Sequence, residues 1–467
     1  MKKILLSCLI ASAASALLLA RASHAGTFAV GDVAVVEDTT GIAHQQVDYM
    51  NMMGPPTDLL APGGRFCREA AKQLIPVMGD NFDGLFTFTP KMLDDLANVQ
   101  QGQPVRWSTQ GIGTQPLNWG AQFGSAAKLS QCVFMGSLPR LPNNPDSPVT
   151  IFFGLPLGIT GTELMGHEYG HHWMTWIYFD KNDGIGQRDT LRGYEANQND
   201  PNSTGQLNGH YGYYTDSRSV MYGNFITDLG NGSFSVAGGQ RKYGYLDQYL
   251  MGLRAPSEVP PTIVLDDGSH HNSAAGARAP GPAETVSNMT RVDVSVDDVI
   301  RAMGPRVPAY PNAQSCWRVA FVLVVPPGQT YNPADVAKVE TYRARWQQWF
   351  TWATDGRGTM DARLTGNGCL RNPPPTDGGT VMPPVDGGTT VEPEVDAGFN
   401  GEVAFATVPI FDDTPVVPVV EPPPPPKKED TMVDLGTTKL RPGCSCSAGL
   451  EALFVLGAVA LLRRRRR

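Results

Sequence analysis

His167-Glu168-Tyr169-Gly170-His171 constrains this chain more than any other stretch. Two imidazoles four positions apart stack on one face only if the backbone between them is α-helical. Leu164, Met165, Trp173, Met174, Trp176 and Ile177 surround the pair with apolar surface, so this helix has to be buried on most sides. Buried imidazoles need partners. One divalent ion satisfies both rings, and Glu168, projecting at a neighbouring angle, is placed to take a proton from a water that the ion activates. With eight histidines in 467 residues, composition alone supplies such a pattern in roughly one chain in a hundred or fewer. The bland alternative is a surface helix that happens to carry two histidines.

The local signals place the helix at about 162–178. Val149 to Phe153 reads as a strand, Gly161-Thr162-Glu163 as a helix start with Thr162 as N-cap, and no proline interrupts Leu164 to Tyr178. His172 reads as a supporting or solvent-facing ring rather than a ligand.

A hydrolytic zinc site takes three protein ligands and keeps one position open, so a third donor has to come from elsewhere. The extended pattern with a third histidine six residues on is excluded, because Met174 and Ile177 stand where glycine and histidine are required. Asp247 is the foremost candidate: it lies inside a short apolar helix, Tyr243 to Leu253, where a lone carboxylate is costly unless paired or metal-bound. Its other readings are a helix cap or a salt bridge. His210 follows, upstream of Ser219-Val220-Met221-Tyr222-Gly223, a segment able to form a methionine turn beneath a metal; it could instead bond substrate. Glu195 is the third, in loop-like surroundings. Asp180, Asn182, Asp183 and Asp189 raise a calcium site beside the helix, although glycine at 184 breaks the helix-loop-helix calcium pattern. His270 and His271 read as a solvated polar loop.

Residues 1–25 read as a signal peptide: Lys2 and Lys3, an apolar run from Ile4 to Ala20, then small residues before a cut near Gly26. Residues 371–441, rich in Pro, Gly, Thr, Val and Asp and carrying the run Pro422 to Pro426, cannot bury enough apolar area to offset their ordering entropy. They read as a disordered stalk. Residues 442–467 join Cys444 and Cys446 to a thirteen-residue apolar stretch, Leu450 to Leu462, and five arginines. At about 1.5 Å per residue that stretch falls short of a bilayer core of roughly 30 Å. An ordinary tail anchor is the alternative reading. Setting aside Lys2, Lys3, Arg21, Glu451 and the terminal arginines takes the formal charge from −8 to −15. So acidic an exported part argues against nucleic acid as a partner.

Between the targeting segments stand Cys67, Cys132, Cys316 and Cys369, with no Cys-x-x-Cys, which disfavours a thiolate zinc site. In an oxidising compartment they predict two disulfides, with Cys67–Cys132 and Cys316–Cys369 the favoured pairing of three. Residues 26–370 are long enough for one large α+β domain of two lobes. Predicted elements are a strand at Gly84–Thr89, a hairpin turning at Asn231-Gly232, a helix at Val296–Met303, a strand at Trp317–Val325 and a helix from Pro333 to about Trp352 capped by Asn332. Trp346, Phe350 and Trp352 on that last helix read as core.

Two resemblances add to this. The stretch from Phe82 to Val259 resembles a group of secreted bacterial zinc metallopeptidases in its Phe-Asp-Gly-Leu-Phe-Thr-Phe-Thr strand (82–89), its Gly166 to Trp173 motif, its Ser219-Val220-Met221-Tyr222-Gly223 turn and its Tyr243 to Leu253 helix followed by Pro256 to Pro261. In that group a histidine followed by an aromatic lies upstream of the methionine, which His210-Tyr211 matches; a long asparagine-rich stretch before His210 departs from the pattern. The last 25 or so residues are similar to myxobacterial C-terminal sorting signals. The resemblances imply a zincin-like fold with Zn2+ as cofactor, a protein or peptide substrate, transient membrane association through the tail, and a sorting protease acting near Cys444 or Cys446. The expectation is an exported zinc endopeptidase, displayed on the outer membrane or released, with Glu168 as general base. Its rivals are a surface adhesion or scaffold protein on a metallopeptidase fold, and a zinc hydrolase of a cell-wall amide.

Overall fold

In the computed structural model, the described residues are 26–41, 43–44, 62–93, 100–151, 155–195, 206–239, 241–271, 280–366 and 369. The segments expected to be a signal peptide, a stalk and a sorting tail, and the asparagine-rich stretch at 197–205, lie outside them. The principal elements are β1 (Thr27–Val30), β2 (Val33–Glu37), α1 (Pro62–Met78), β3 (Gly84–Thr89), β4 (Gln101–Pro104), β5 (Gln131–Ser137), α2 (Gly161–Gly170), β6 (Arg192–Glu195), β7 (Gln206–Tyr211), β8 (Asn224–Gly230), β9 (Ser233–Gly238), α3 (Tyr245–Met251), α4 (Val296–Met303), β10 (Cys316–Val325), α5 (Pro333–Ala353) and β11 (Thr359–Asp361).

Side chains along β10 alternate between two buried faces, which is why the segment reads as an unbroken apolar run. It is the middle of a seven-stranded sheet of order β1-β2-β10-β3-β5-β4, with β11 paired to β10 off that path. β2, β3 and β11 run parallel to β10, and β5 runs parallel to β3; the hairpin strand β1 and the edge strand β4 are antiparallel. Ala320, Val322 and Val324 meet Phe66, Ala70 and Leu74 of α1 on one face. Val319, Phe321 and Leu323 meet Met165 and Tyr169 of α2 and Trp346 and Phe350 of α5 on the other. The result is a mixed α/β arrangement with helices on both sides of the sheet. The apolar cluster of the α2 face continues without a break into Leu246 and Leu250 of α3, so the two lobes expected from the sequence share a core. Smaller sheets follow in the second half of the domain, among them β6–β7 and the β8–β9 hairpin, whose turn residues Asn231 and Gly232 take φ of 53° and 70°.

Cys67 on α1 and Cys132 on β5 lie at disulfide distance, with Cα atoms 5.9 Å apart, as do Cys316 and Cys369 at 5.5 Å. That is the favoured pairing. The α5 boundaries agree with expectation, with Asn332 accepting from the Ala334 N–H and Pro333 opening the helix. Trp352 departs from it: Trp346 and Phe350 are fully buried, but Trp352 is 45 % exposed, with Lys242 over its ring. Among the described residues no helix is long and apolar enough to cross a membrane.

Candidate metal centre

The motif helix starts earlier and ends sooner than the sequence suggests. Thr160, not Thr162, is the N-cap: its hydroxyl accepts from the Glu163 N–H, and the Glu163 carboxylate accepts from the Thr160 N–H. This reciprocal pair outcompetes Thr162, whose hydroxyl bonds Pro145 and Asp146. Beyond Gly170 the chain tightens into turns, with the His172 N–H on Tyr169 O and those of Trp173 and Met174 on Gly170 O, before the Thr175 N–H leaves for Gly209 O of β7 at 3.1 Å. His171 keeps helical dihedrals as the C-cap, so the i, i+4 relation with His167 survives.

Gly166, inside the helix, sets its position. A Cβ there would lie 2.0 Å from Cη2 of Trp349, so the bare backbone lets α5 seat its indole directly on α2. The Tyr243 hydroxyl donates to Gly166 O on the same turn.

His210, carried on β7, meets the two motif histidines. One ring nitrogen of each of His167, His171 and His210 lies within 4.8 Å of the others, and His167 Nε2 is 2.9 Å from His210 Nε2. Among the described residues this is the group of three His, Cys, Asp or Glu side chains able to share an ion. The ring centroids form a nearly equilateral triangle of 4.8 to 5.0 Å. The donor nitrogens, 2.9 Å apart for His167 and His210 and within 4.8 Å for the set, span the roughly 3.3 Å that bonds of about 2.0 Å at tetrahedral angles require.

The protonation states suit the same purpose. Burial pushes His167 down to about 4 and His171 to about 3, and takes His210 well below the ordinary value, with repulsion between the rings lowering the last two further. All three are neutral at pH 7, as ligands must be. His167 Nδ1 lies 2.9 Å from the Val220 carbonyl, an acceptor only, so Nδ1 carries the proton and Nε2 turns its lone pair toward His210. Orienting a ligand through its other nitrogen is the usual work of a metal site's outer partners.

Around this triangle the sequence singled out the methionine turn but gave no role to Gly209 or Tyr222. Gly209 lets β7 approach, since a Cβ there would sit 2.9 Å from His171 Nδ1. Tyr222 stacks on His210 with centroids 4.2 Å apart and lies 5.2 Å from His167, held with φ of 72°. Met221 is fully buried, and a Cβ on Gly170 would meet its sulfur at 2.5 Å, so the turn does pass beneath the helix end. A glycine within a strand pattern was the available signal for Gly209. For Tyr222 it was adjacency to the methionine.

Of the other candidates, those with described side chains have partners of their own. The Asp247 carboxylate accepts from the Tyr211 hydroxyl at 2.7 Å and from the Gly244 N–H at 2.8 Å, with Ser219 also bonding it, and burial raises it to about 7. It is the N-terminal brace of α3. Glu195 ends β6 opposite Gln206. His172 packs edge-on against Trp173, and burial with nearby Arg306 lowers it to about 3. His270 bonds Asp266, and His271 lies 3.7 Å from Asp189. Of the calcium candidates, Asp183 pairs with Arg188 and Asp180 accepts from the Asn182 N–H.

Glu168 is 8 % exposed and accepts from the Gly102 N–H of β4 at 2.7 Å. Comparison of the chain with protein-family models, with curated proteins and with solved structures yields no match. The functional reading therefore rests on the residues.

Proposed function

We propose that the domain is a zinc-dependent endopeptidase, with His167, His171 and His210 as its ligands and Glu168 as its general base. The observation that carries this reading is the convergence of His210 on the helical histidine pair, with His167 Nδ1 against the Val220 carbonyl and His167 Nε2 2.9 Å from His210 Nε2. Three neutral imidazoles suit zinc among the common divalent ions. Zinc held there would polarise a water and the substrate carbonyl and lower the barrier to attack. Glu168 receives the proton that the attacking water loses and passes it to the leaving amine. To Tyr222, whose ring packs on His210 and His167, we assign donation to the oxygen that gains charge.

The signal peptide and sorting tail support export and display at the cell surface or release from it. Incubating the purified protein with casein and with peptidoglycan, with and without chelator, tests the reading. Chelator-sensitive cleavage of casein is expected. Cleavage of peptidoglycan alone would move the substrate to the cell wall, and inertness toward both in a zinc-free protein would leave a scaffold.

A further inference from the structure

Glu168 is gripped at both of its ends by the outer strands of the central sheet. Its carboxylate accepts from the Gly102 N–H on β4 at 2.7 Å, and its main-chain carbonyl accepts from Gln131 Nε2 on β5 at 2.8 Å. β4 and β5 are antiparallel neighbours, with Gly102 opposite Val133 and Gln131 opposite Pro104, so both grips belong to one ladder.

Each contact answers a local need. The last carbonyls of a helix have no partner within it. In α2, Tyr169 O takes the His172 N–H, and Gly170 O takes those of Trp173 and Met174. Glu168 O takes a side chain from the sheet instead, and that side chain, Gln131, is 1 % exposed. The Gly102 N–H is used at the sheet's edge, beyond the last strand in the order. No larger residue fits there, because a Cβ at 102 would lie 2.1 Å from Glu168 O and 3.1 Å from Gln131 Nε2.

We propose that Gly102 and Gln131 are positioning residues for Glu168. The clamp fixes the helix end through the carbonyl and the carboxylate through the N–H, and so sets where the base sits relative to the three imidazoles. This rests on the base role assigned to Glu168. A base held by a charge-assisted bond of 2.7 Å starts close to its working geometry, and misplacement by about 1 Å can cost on the order of 100-fold in rate.

Two measurements on the full protein separate the clamp from the enzyme assignment. Amide hydrogen exchange at Gly102 reads the carboxylate grip without reference to catalysis. Exchange should be slow in the wild type and in Glu168→Gln, which keeps an oxygen acceptor, and at least tenfold faster in Glu168→Ala. The second measurement is kcat and KM for casein-derived peptides in Gln131→Met, which keeps the bulk and removes the donor. A fall in kcat of at least tenfold is expected, with KM, zinc content and circular dichroism near wild type. Equal exchange in all three proteins overturns the carboxylate grip. Unchanged kcat in Gln131→Met, or loss of zinc in step with activity, overturns the positioning role. A wild type that cleaves nothing removes the enzyme assignment, and the exchange comparison still decides whether the Gly102 grip exists.

Discussion

Asp247 and His210 answer the same demand, that a buried polar side chain find a partner, in different ways. Asp247 is satisfied by Tyr211, Gly244 and Ser219, His210 by the other imidazoles. Replacing His210 with alanine should therefore weaken zinc binding by at least about 100-fold, at the far end of what loss of a ligand's partner costs. Asp247→Asn should leave zinc stoichiometry intact; equilibrium dialysis of both variants checks the pair. Asp247 has its own pH signature. Its folded value, about 7, lies above its unfolded value of 3.8, so its contribution to stability is full below 3.8 and is lost as pH rises through 7. Denaturant midpoints should fall across that window in the wild type and flatten in Asp247→Asn. The sequence could point to His167, Glu168 and His171 because their relation is local and periodic. It could not choose between Asp247 and His210, since both are polar residues among apolar neighbours and the Tyr211 hydroxyl that serves Asp247 is visible only in three dimensions.

At the scale of elements, the strands and helices with strong periodicity were legible: β3, the β8–β9 turn, α4, β10 and α5. The motif helix was legible too, but its ends were not, because two threonines competed for its cap and the chain beyond Gly170 turns away toward β7. Thr160→Ala should cost about 1 kcal/mol of stability, as loss of a cap usually does, while Thr162→Ala leaves the cap in place. Gly166 offers a sharper test. Alanine at an ordinary helix interior gains up to about 1 kcal/mol over glycine, yet here the added methyl meets the Trp349 ring. A net loss of about 1–3 kcal/mol is expected in thermal or denaturant unfolding, the usual cost of overpacking. A gain in stability would show that α2 and α5 are not seated as described.

At the scale of the whole molecule, the division of labour between the sheet faces explains why the domain needs its length. α1 closes one face, while α2, α5 and the later small sheets carry or flank the three histidines on the other. The Cys67–Cys132 link fastens α1 to β5, the strand that also carries Gln131. Replacing both cysteines with serine should lower stability by about 2–4 kcal/mol, read as a shift in denaturant midpoint under non-reducing conditions. Composition announced the folded stretch and its four cysteines. The strand order was out of reach, because β10 enters between β2 and β3 from nearly three hundred residues away.

The Cys316–Cys369 crosslink has a mechanical consequence. It closes a loop with a sequence separation of 53 that holds β10, α5 and β11, and it does so at the first residue of β10. Residue 369 is thereby joined to the domain by two covalent routes, back along the chain through β11 and through sulfur to the start of the central strand, and the sulfur route bypasses α5, whose indoles pack on the histidine helix. A pull from the C-terminal side would therefore be shared with the middle of the sheet, away from the histidine-bearing helix.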